Sequence, residues 1–480
     1  MKYEVVIGLE IHVELDTESK VFCSCPTTFG AEPNTQVCPV CLGMPGTLPV
    51  LNERALEYAQ RVALALNCDI AQYTKFDRKN YHYPDLPKGY QISQYDQPLA
   101  SGGYLDLHMP DAERRIAIRR VHLEEDAGKS IHEGGATLVD FNRAGVPLVE
   151  IVTEPDLRSP EEARVFLQSL RNLVRYTGVS DVKMEEGSLR CDANVSLRPV
   201  GSAEWGVLTE VKNMNSFRAV KLALEHEIER QEALLAAGEP IARETRHWDE
   251  ARSRTVPSRS KEEASDYRYF PEPDLVKFEI SRATVARVRA ALPELPAERR
   301  RRYVTELGLP EYDAGVLTDI RELSSFFDAT IALGAEPKAA SNWLMGEVLG
   351  YLNATGKSLD EVPINPEGIA ELLSLLETET ISGKLAKTVF ELMCQTGELP
   401  GKIVEERGLK QVTDESAVME FVEQVLKANP DAVESIRQGK DKALGFLVGQ
   451  VMKLSRGKAN PQLANQLLRQ EIYDKRERGN

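Results

Sequence analysis

Residues 4–15 alternate along their whole length. Val5, Ile7, Leu9, Ile11, Val13 and Leu15 take the odd positions, and Glu4, Val6, Gly8, Glu10, His12 and Glu14 the even ones. A strand turns successive side chains to opposite faces. This segment therefore predicts a strand with one apolar, packed face and one largely polar face. The polar face meets water or lines a polar cavity. Residues 114–125 predict a second strand with partial alternation. Residues 189–197 predict a third. There Leu189, Cys191, Ala193, Val195 and Leu197 face one way, and Arg190, Asp192, Asn194 and Ser196 the other.

Helices intervene. Ser159-Pro160-Glu161-Glu162 combines a cap, a first-turn proline and a Glu three residues after the cap, and Gly178 supplies a stop. A second helix is expected over 216–237, ended by Gly238. The turn-rich runs 79–90 and 267–274 predict irregular loops. Beyond about residue 290 the pattern becomes helical, with Leu, Ala and Glu at helical spacing over 339–353 and 366–377. Arg299 to Arg302 form a basic run there. Short helices are expected over 416–428, 431–438 and 441–454. The 480 residues suffice for about three domains. No apolar run approaches the roughly 20 residues of a membrane helix, and the N-terminus lacks a signal-peptide pattern. A cytoplasmic protein is expected. The net charge of −16 disfavours indiscriminate nucleic-acid binding over the whole surface, but allows a local basic patch.

Cysteines stand at 23, 25, 38, 41, 68, 191 and 394. An odd count without a signal argues for reduced thiols. Cys23, Cys25, Cys38 and Cys41 form a C-x-C…C-x-x-C pattern able to wrap one tetrahedral zinc; free thiols are the alternative. Four thiolates leave no open position, so a structural clip is favoured over a nucleic-acid-contacting knuckle. Cys68, Cys191 and Cys394 sit in apolar patterns and are expected in the core.

Polar groups recur at strand positions. Glu10 and His12 share a face, Glu124-Glu125-Asp126 ends a strand, Asp192 and Asn194 share a face, and so do Glu210 and Lys212. Oxygen-rich sites suit magnesium, which takes one or two carboxylates plus substrate phosphates. Solvated strand faces are the alternative reading. Ala127-Gly128-Lys129-Ser130 echoes the end of a phosphate-binding loop, but Leu123 stands where its first glycine belongs. Lys129 is left as a candidate phosphate partner.

Several long segments carry a resemblance: GLEIHVEL (8–15), CPVCLGMPGTLPVLN (38–52), KNYHYPDLPKGYQISQYDQP (79–98), VHLEEDAGK (121–129), NRAGVPLVEIVTEPD (142–156), EGSLRCDANVS (186–196), TEVKNMNSFR (209–218) and DYRYFPEPDL (266–275). Together they resemble the B-subunit family of the aspartyl/glutamyl-tRNA(Asn/Gln) amidotransferase, over almost the whole chain. The resemblance implies an α+β fold: a mixed, largely antiparallel, cradle-like catalytic domain (1–290), a helical domain (291–405) and a small helical tail that binds tRNA (411–480). It implies a heterotrimer with an amidase A subunit, which releases ammonia from glutamine, and a small C subunit. This chain would use ATP and Mg2+ to phosphorylate the side-chain carboxylate of misacylated Glu-tRNA(Gln) or Asp-tRNA(Asn). Ammonia would then displace phosphate, giving Gln-tRNA(Gln) or Asn-tRNA(Asn). By resemblance, the magnesium role falls on Glu10, His12, Glu124, Glu125, Asp192 and Glu210, with Glu124 and Glu125 counted as catalytic. Lys79, Lys88 and Tyr81 are counted as catalytic too, with Lys79 and Lys88 as candidate ATP-phosphate partners; these three could equally order their turn. The family's four-cysteine motif occurs in only some members and is complete here.

The expected tail is locally basic. Between Ile436 and Lys458, Arg437, Lys440, Lys442, Lys453, Arg456 and Lys458 face one acid, Asp441. That is a footprint for phosphates, or a solvated helix face. A nonenzymatic zinc-dependent RNA adaptor is a rival reading, but it leaves the carboxylates without a purpose. A self-contained glutamine amidotransferase lacks a nucleophile pattern, so ammonia would come from a partner.

Overall fold

The computed structural model describes residues 2–109, 112–258, 267–411, 415–437, 442–455 and 457–477; of 437, 442 and 474–477 it describes the backbone alone. The chain divides into two compact units, 1–296 and 297–480.

The first unit is built on the strand the alternation predicts, Tyr3–Glu14. Its odd residues from Ile7 to Val13 are fully or almost fully buried. This strand is central in a nine-stranded sheet. The order is Arg254–Pro257, Glu244–Asp249, Thr209–Lys212, Leu189–Pro199, Tyr3–Glu14, Pro147–Thr153, Glu113–Glu125, Ala100–His108 and Asp69–Ile70. All neighbours are antiparallel except Thr209–Lys212 and Glu244–Asp249, which run parallel. The apolar face packs against three helices, Glu53–Ala65, Pro160–Thr177 and Phe217–Ala237. Ile7, Leu9 and Ile11 share one core with Ala59, Phe166, Leu170 and Leu224. Each fully buried aliphatic or aromatic side chain of this size contributes about 1.5–3 kcal/mol.

The helix ends are set where the sequence placed them. Ser159 Oγ accepts from Glu162 N at 3.1 Å, and Gly178 stops the helix at φ 71°. A serine cap of this kind stabilises by about 1 kcal/mol. Ser216 and Gly238 play the same parts for the third helix.

The two runs expected as irregular loops carry short strands, at both ends of 79–90 and in the middle of 267–274. Asp77–Asn80 pairs with Tyr90–Ser93 on one side and with Phe270–Pro271 on the other, making a separate three-stranded sheet. Proline-rich turns hide such short ladders from a composition reading. The ladder fixes Lys79 beside the larger sheet's polar face.

The second unit is helical. One core joins Tyr303, Phe327, Leu344, Leu372, Val389 and Phe390, and includes Cys394. A single π turn, Leu344–Val348, interrupts the predicted helix over 339–353. The Arg299–Arg302 run is engaged locally: Arg299 and Arg302 pair with Asp328, and Arg300 with Glu311. A second core joins Val418, Val422, Leu447, Val451, Leu467 and Leu468. It includes a final helix, Pro461–Glu477, that the sequence reading did not single out. Among the described residues no helix is long and apolar enough to cross a membrane.

Candidate functional site

Strand register assembles the site. His12 pairs with Glu150 across the sheet, and Glu150 with His122 on the next strand. Paired residues point to one face. His12 Nε2 lies 3.4 Å from Glu150 Oε2 and 3.8 Å from Glu124 Oε1. His122 Nε2 lies 3.4 Å from Glu124 Oε2 and 3.5 Å from Glu150 Oε2. Ser93 Oγ donates to Glu124 Oε2 at 2.9 Å. One ligand atom from each of His12, Glu124 and Glu150 lies within 4.8 Å of the other two. A bulge at Val152/Thr153 turns Thr153 so that its Oγ1 accepts the Leu9 amide at 3.0 Å.

Burial opposes charge on both carboxylates, yet His122 and Lys79, with His12 at Glu150, hold them below the usual range. Burial also opposes the His12 charge, but Glu150 and Glu124 raise its pKa. Lys79 obeys the same balance: burial works against it, and Glu124 and Glu150 push it well above the ordinary lysine range. Its Nζ lies 5.0 Å from the Tyr267 ring centre and 5.9 Å from that of Tyr81. A cation there gains from both ring faces.

His12, Lys79, Tyr81, Glu124, Asp126, Arg190, Asp192 and Lys212 line a hollow of about 440 Å³. Asp126 is ion-paired with Arg190 and lies 3.7 Å from Arg143. Despite burial, those cations hold Asp126 down to about 2. Its neighbour Glu14 is pushed up to about 8, by burial first and then by Asp126.

The structure divides the six expected magnesium ligands. His12 and Glu124 come together, and the acid that joins them is Glu150, which the sequence reading did not single out. Glu10 sits one step along the same strand face and accepts from Asn194 Nδ2 at 3.0 Å. Burial raises its pKa, and Glu150 and Glu210 add to the shift. Asp192 and Glu210 are bridged by Lys212, at 2.7 and 3.0 Å. Glu125 faces elsewhere: it is ion-paired with Lys88 and accepts the Ile92 amide at 2.8 Å. Lys88 is thereby engaged and does not line the hollow that holds Lys79. Both Lys88 and Glu125 line a smaller cavity with Cys23 and Cys41. Lys129 begins an exposed hairpin, Lys129–Glu133 with Ala136–Asp140.

One sulfur from each of Cys23, Cys25, Cys38 and Cys41 lies within 4.8 Å of the others. Cys38 N donates to Cys41 Sγ at 3.1 Å. Cys41 is held down to about 4, first by a hydrogen bond from Cys23, with help from the Cys38 amide and Lys20. Cys68, Cys191 and Cys394 are buried, as expected.

Of the basic tail residues, Lys453 is exposed and Lys458 half-buried. Lys440 and Arg456 lie outside the described residues, as do the side chains of Arg437 and Lys442.

Residues 5–286 match the GatB/GatE catalytic domain, and residues 325–472 the GatB domain. The chain belongs to the GatB/GatE family. Curated relatives agree over their full lengths. The B subunit of the aspartyl/glutamyl-tRNA(Asn/Gln) amidotransferase of Caldanaerobacter subterraneus subsp. tengcongensis is 58% identical over 473 residues, covering 98% of this chain and 100% of the relative. The B subunits of the same name from Moorella thermoacetica and Geobacillus thermodenitrificans are also 58% identical, over 98% of this chain and 100% and 99% of theirs. Membership in the GatB/GatE family makes the chain an amidotransferase component. The catalytic-domain match contains the His12–Glu124–Glu150 cluster, Lys79 and all four clustered cysteines.

Proposed function

We propose that the chain is the ATP-dependent activating subunit of a tRNA-dependent amidotransferase. It phosphorylates the side-chain carboxylate of Glu-tRNA(Gln), Asp-tRNA(Asn) or both. The observation that carries this reading is the meeting of His12, Glu124 and Glu150 at the edge of a polar hollow that His12, Glu124 and Lys79 line.

The two carboxylates fit magnesium, which takes one or two carboxylates plus phosphate oxygens; the His12 imidazole is a softer third donor beside them. His12, Glu124 and Glu150 would hold the ion, which would neutralise charge on the transferring phosphoryl group. Lys79, fixed by Tyr81 and Tyr267, supplies a second positive charge to the phosphates. Arg190 and Lys212 offset the acids of the far wall, Asp126, Asp192 and Glu210. A neighbouring hollow of about 650 Å³ opens along the same strand, lined by Gly8, Glu10, Pro155, Trp205, Val207 and Arg243. Its mix of apolar surface, an exposed indole and a guanidinium suits a nucleoside, so ATP spans the two hollows. Lys88 and Glu125 are not used in this step.

Phosphorylation turns a carboxylate, a poor acylating agent, into an acyl phosphate with a good leaving group. Ammonia attacks the acyl carbon, the C–O bond to phosphate breaks, and the nitrogen's proton leaves with the phosphate. Ammonia comes from an amidase A subunit, and a small C subunit completes the heterotrimer in the cytoplasm. The two cores of the second unit support reading it as a helical domain (291–405) followed by a tail domain (411–480). Lys453 and Lys458 of the tail, with the other bases of 437–458, contact tRNA phosphates. Zinc on Cys23, Cys25, Cys38 and Cys41 acts as a structural clip.

The test is transfer of the labelled γ-phosphoryl group of ATP to misacylated tRNA by the reconstituted complex, with ammonia withheld. Magnesium-dependent label on the aminoacyl ester is expected. ATP cleavage that ignores misacylated tRNA would overturn the reading.

A further inference from the structure

Lys20 is completely buried, and phosphoryl transfer does not use it. Its backbone amide donates to the Cys25 carbonyl at 2.9 Å, so it is part of the cysteine loop. Its Nζ donates to the Gln36 carbonyl at 2.7 Å, the Phe141 carbonyl at 3.3 Å and Cys41 Sγ at 3.6 Å. Burying an ammonium costs several kcal/mol unless an opposite charge lies close. Among the described residues no carboxylate oxygen lies within 4.0 Å of this nitrogen; Glu125, which shares the space around Gly145 with the Lys20 stem, is held by Lys88. The nearest group able to carry negative charge at Nζ, among the described residues, is the Cys41 sulfur at 3.6 Å. Four thiolates around one divalent zinc leave an excess of negative charge at that place.

The same nitrogen fastens the cysteine loop to the segment 139–146. Phe141 N donates to Asn34 Oδ1 at 2.8 Å, Gln36 N to Asn142 Oδ1 at 2.8 Å, and Val21 N to the Gly145 carbonyl at 2.9 Å. That segment continues into the wall of the phosphoryl hollow. Arg143 Nε donates to the Ala127 carbonyl at 3.0 Å, and Asp126 N to the Val146 carbonyl at 2.9 Å.

We propose that Lys20 is the countercharge of a zinc tetrathiolate and that, through the Phe141 carbonyl, it makes the order of the 139–146 wall depend on zinc. The proposal rests on the zinc reading above. Lys20 is a positioning residue. With zinc lost, the four sulfurs are no longer held together, and the Cys41 contact that fixes the Lys20 ammonium is lost with them. The wall it fastens then loosens.

The test compares the full-length wild type with Lys20→Met, which keeps the stem and removes the charge. Three quantities are read: zinc released to a chelator, the absorption of the cobalt-substituted cluster, and hydrogen exchange over 139–146. Wild type should hold about one zinc per chain. Lys20→Met should hold it about tenfold more weakly against the chelator, the lower end for loss of an outer-shell partner. Its thiolate-to-cobalt charge-transfer band should move to lower energy, because the charge that stabilised the sulfur lone pairs is gone. Should the variant fold poorly, zinc-stripped wild type tests the same coupling. Its 139–146 amides should exchange faster than in the zinc-loaded chain. A zinc-loaded wild type with an insensitive Lys20→Met, or with 139–146 exchange unchanged on stripping, overturns the proposal and leaves the zinc reading intact. A wild type that takes up no zinc overturns both.

Discussion

Glu124 and Glu125 are neighbours in the chain, and their carboxylates serve different sites. Glu124 turns to His12, His122 and Ser93, whereas Glu125 turns to Lys88 and the Ile92 amide. Strand alternation does this.

The first prediction follows from that separation. Glu150→Gln should lower tRNA-dependent phosphoryl transfer about 100-fold, in the range seen when one charge-stabilising group is removed, and raise the magnesium requirement. Glu125→Gln should leave the magnesium requirement unchanged, whatever it does to rate. Magnesium titrations of both variants in the assembled complex decide this. Equal shifts would return Glu125 to the metal site. Glutamine hydrolysis without tRNA should persist in both.

Lys79→Met should weaken productive ATP binding. The ammonium stands where phosphate charge would lie, and among the described residues no other lysine is held between Tyr81 and Tyr267. A rise of about tenfold in KM for ATP, or a fall of similar size in kcat, is expected for loss of one charge-assisted hydrogen bond of about 1.5 kcal/mol. Steady-state kinetics on misacylated tRNA would show it. Unchanged parameters would place the phosphates elsewhere.

How much of this was legible beforehand differs by residue. The alternation over 4–15 exposed both faces of the central strand, and so put His12 beside Glu10. Ser159 and Gly178 marked a helix correctly, because caps are local. Glu150 was missed, although a signal existed: it is the lone acid inside PLVEIVT, where an apolar run should be buried. A buried carboxylate needs partners. Those partners are His12 and His122, 138 and 28 positions away in the chain, and only the strand order reveals them. Lys20 gave no signal, because its environment is made by the loop at Phe141. The expected gathering of Asp192 and Glu210 around one ion ignored Lys212, which sits between them.

Stability should respond to pH through Glu14. A carboxyl pushed up to about 8 from an ordinary 4.5 keeps its proton in the folded state. Its contribution is complete below about pH 4.5 and is lost as pH rises through 8. Glu14→Gln imitates the protonated form at every pH. Relative to wild type, the variant should gain on the order of 2 kcal/mol between pH 5 and pH 8.5, below the full linkage value because Asp126 shares the charge. Urea denaturation at the two pH values measures it; parallel profiles would refute the raised pKa of Glu14.

Cys23→Ser should act through stability. A closed thiolate site has no open position for chemistry. Thermal melting should begin on the order of 5 °C lower, while the zinc-loaded fraction keeps near-normal phosphoryl transfer. Normal melting with lost transfer would contradict the clip.

Truncation after Lys410 should weaken tRNA binding and flatten its salt dependence, by about 0.9 in the log–log slope for each duplex phosphate that the chain no longer neutralises. Glutamine hydrolysis without tRNA should hardly change. A slope identical to that of the full chain would remove the tail from the tRNA interface.

The strand Tyr3–Glu14 floors two hollows with one row of side chains and anchors the core with the other. Its tolerance to substitution should therefore alternate in kind as well as in degree. Changes at Ile7, Leu9, Ile11 and Val13 should deplete the protein from cells, because the chain fails to mature. Changes at Gly8, Glu10 and His12 should leave abundant protein that does not turn over. A scan scored separately for abundance and for activity would register the pleat of a single strand as two interleaved phenotypes, shifted by one residue.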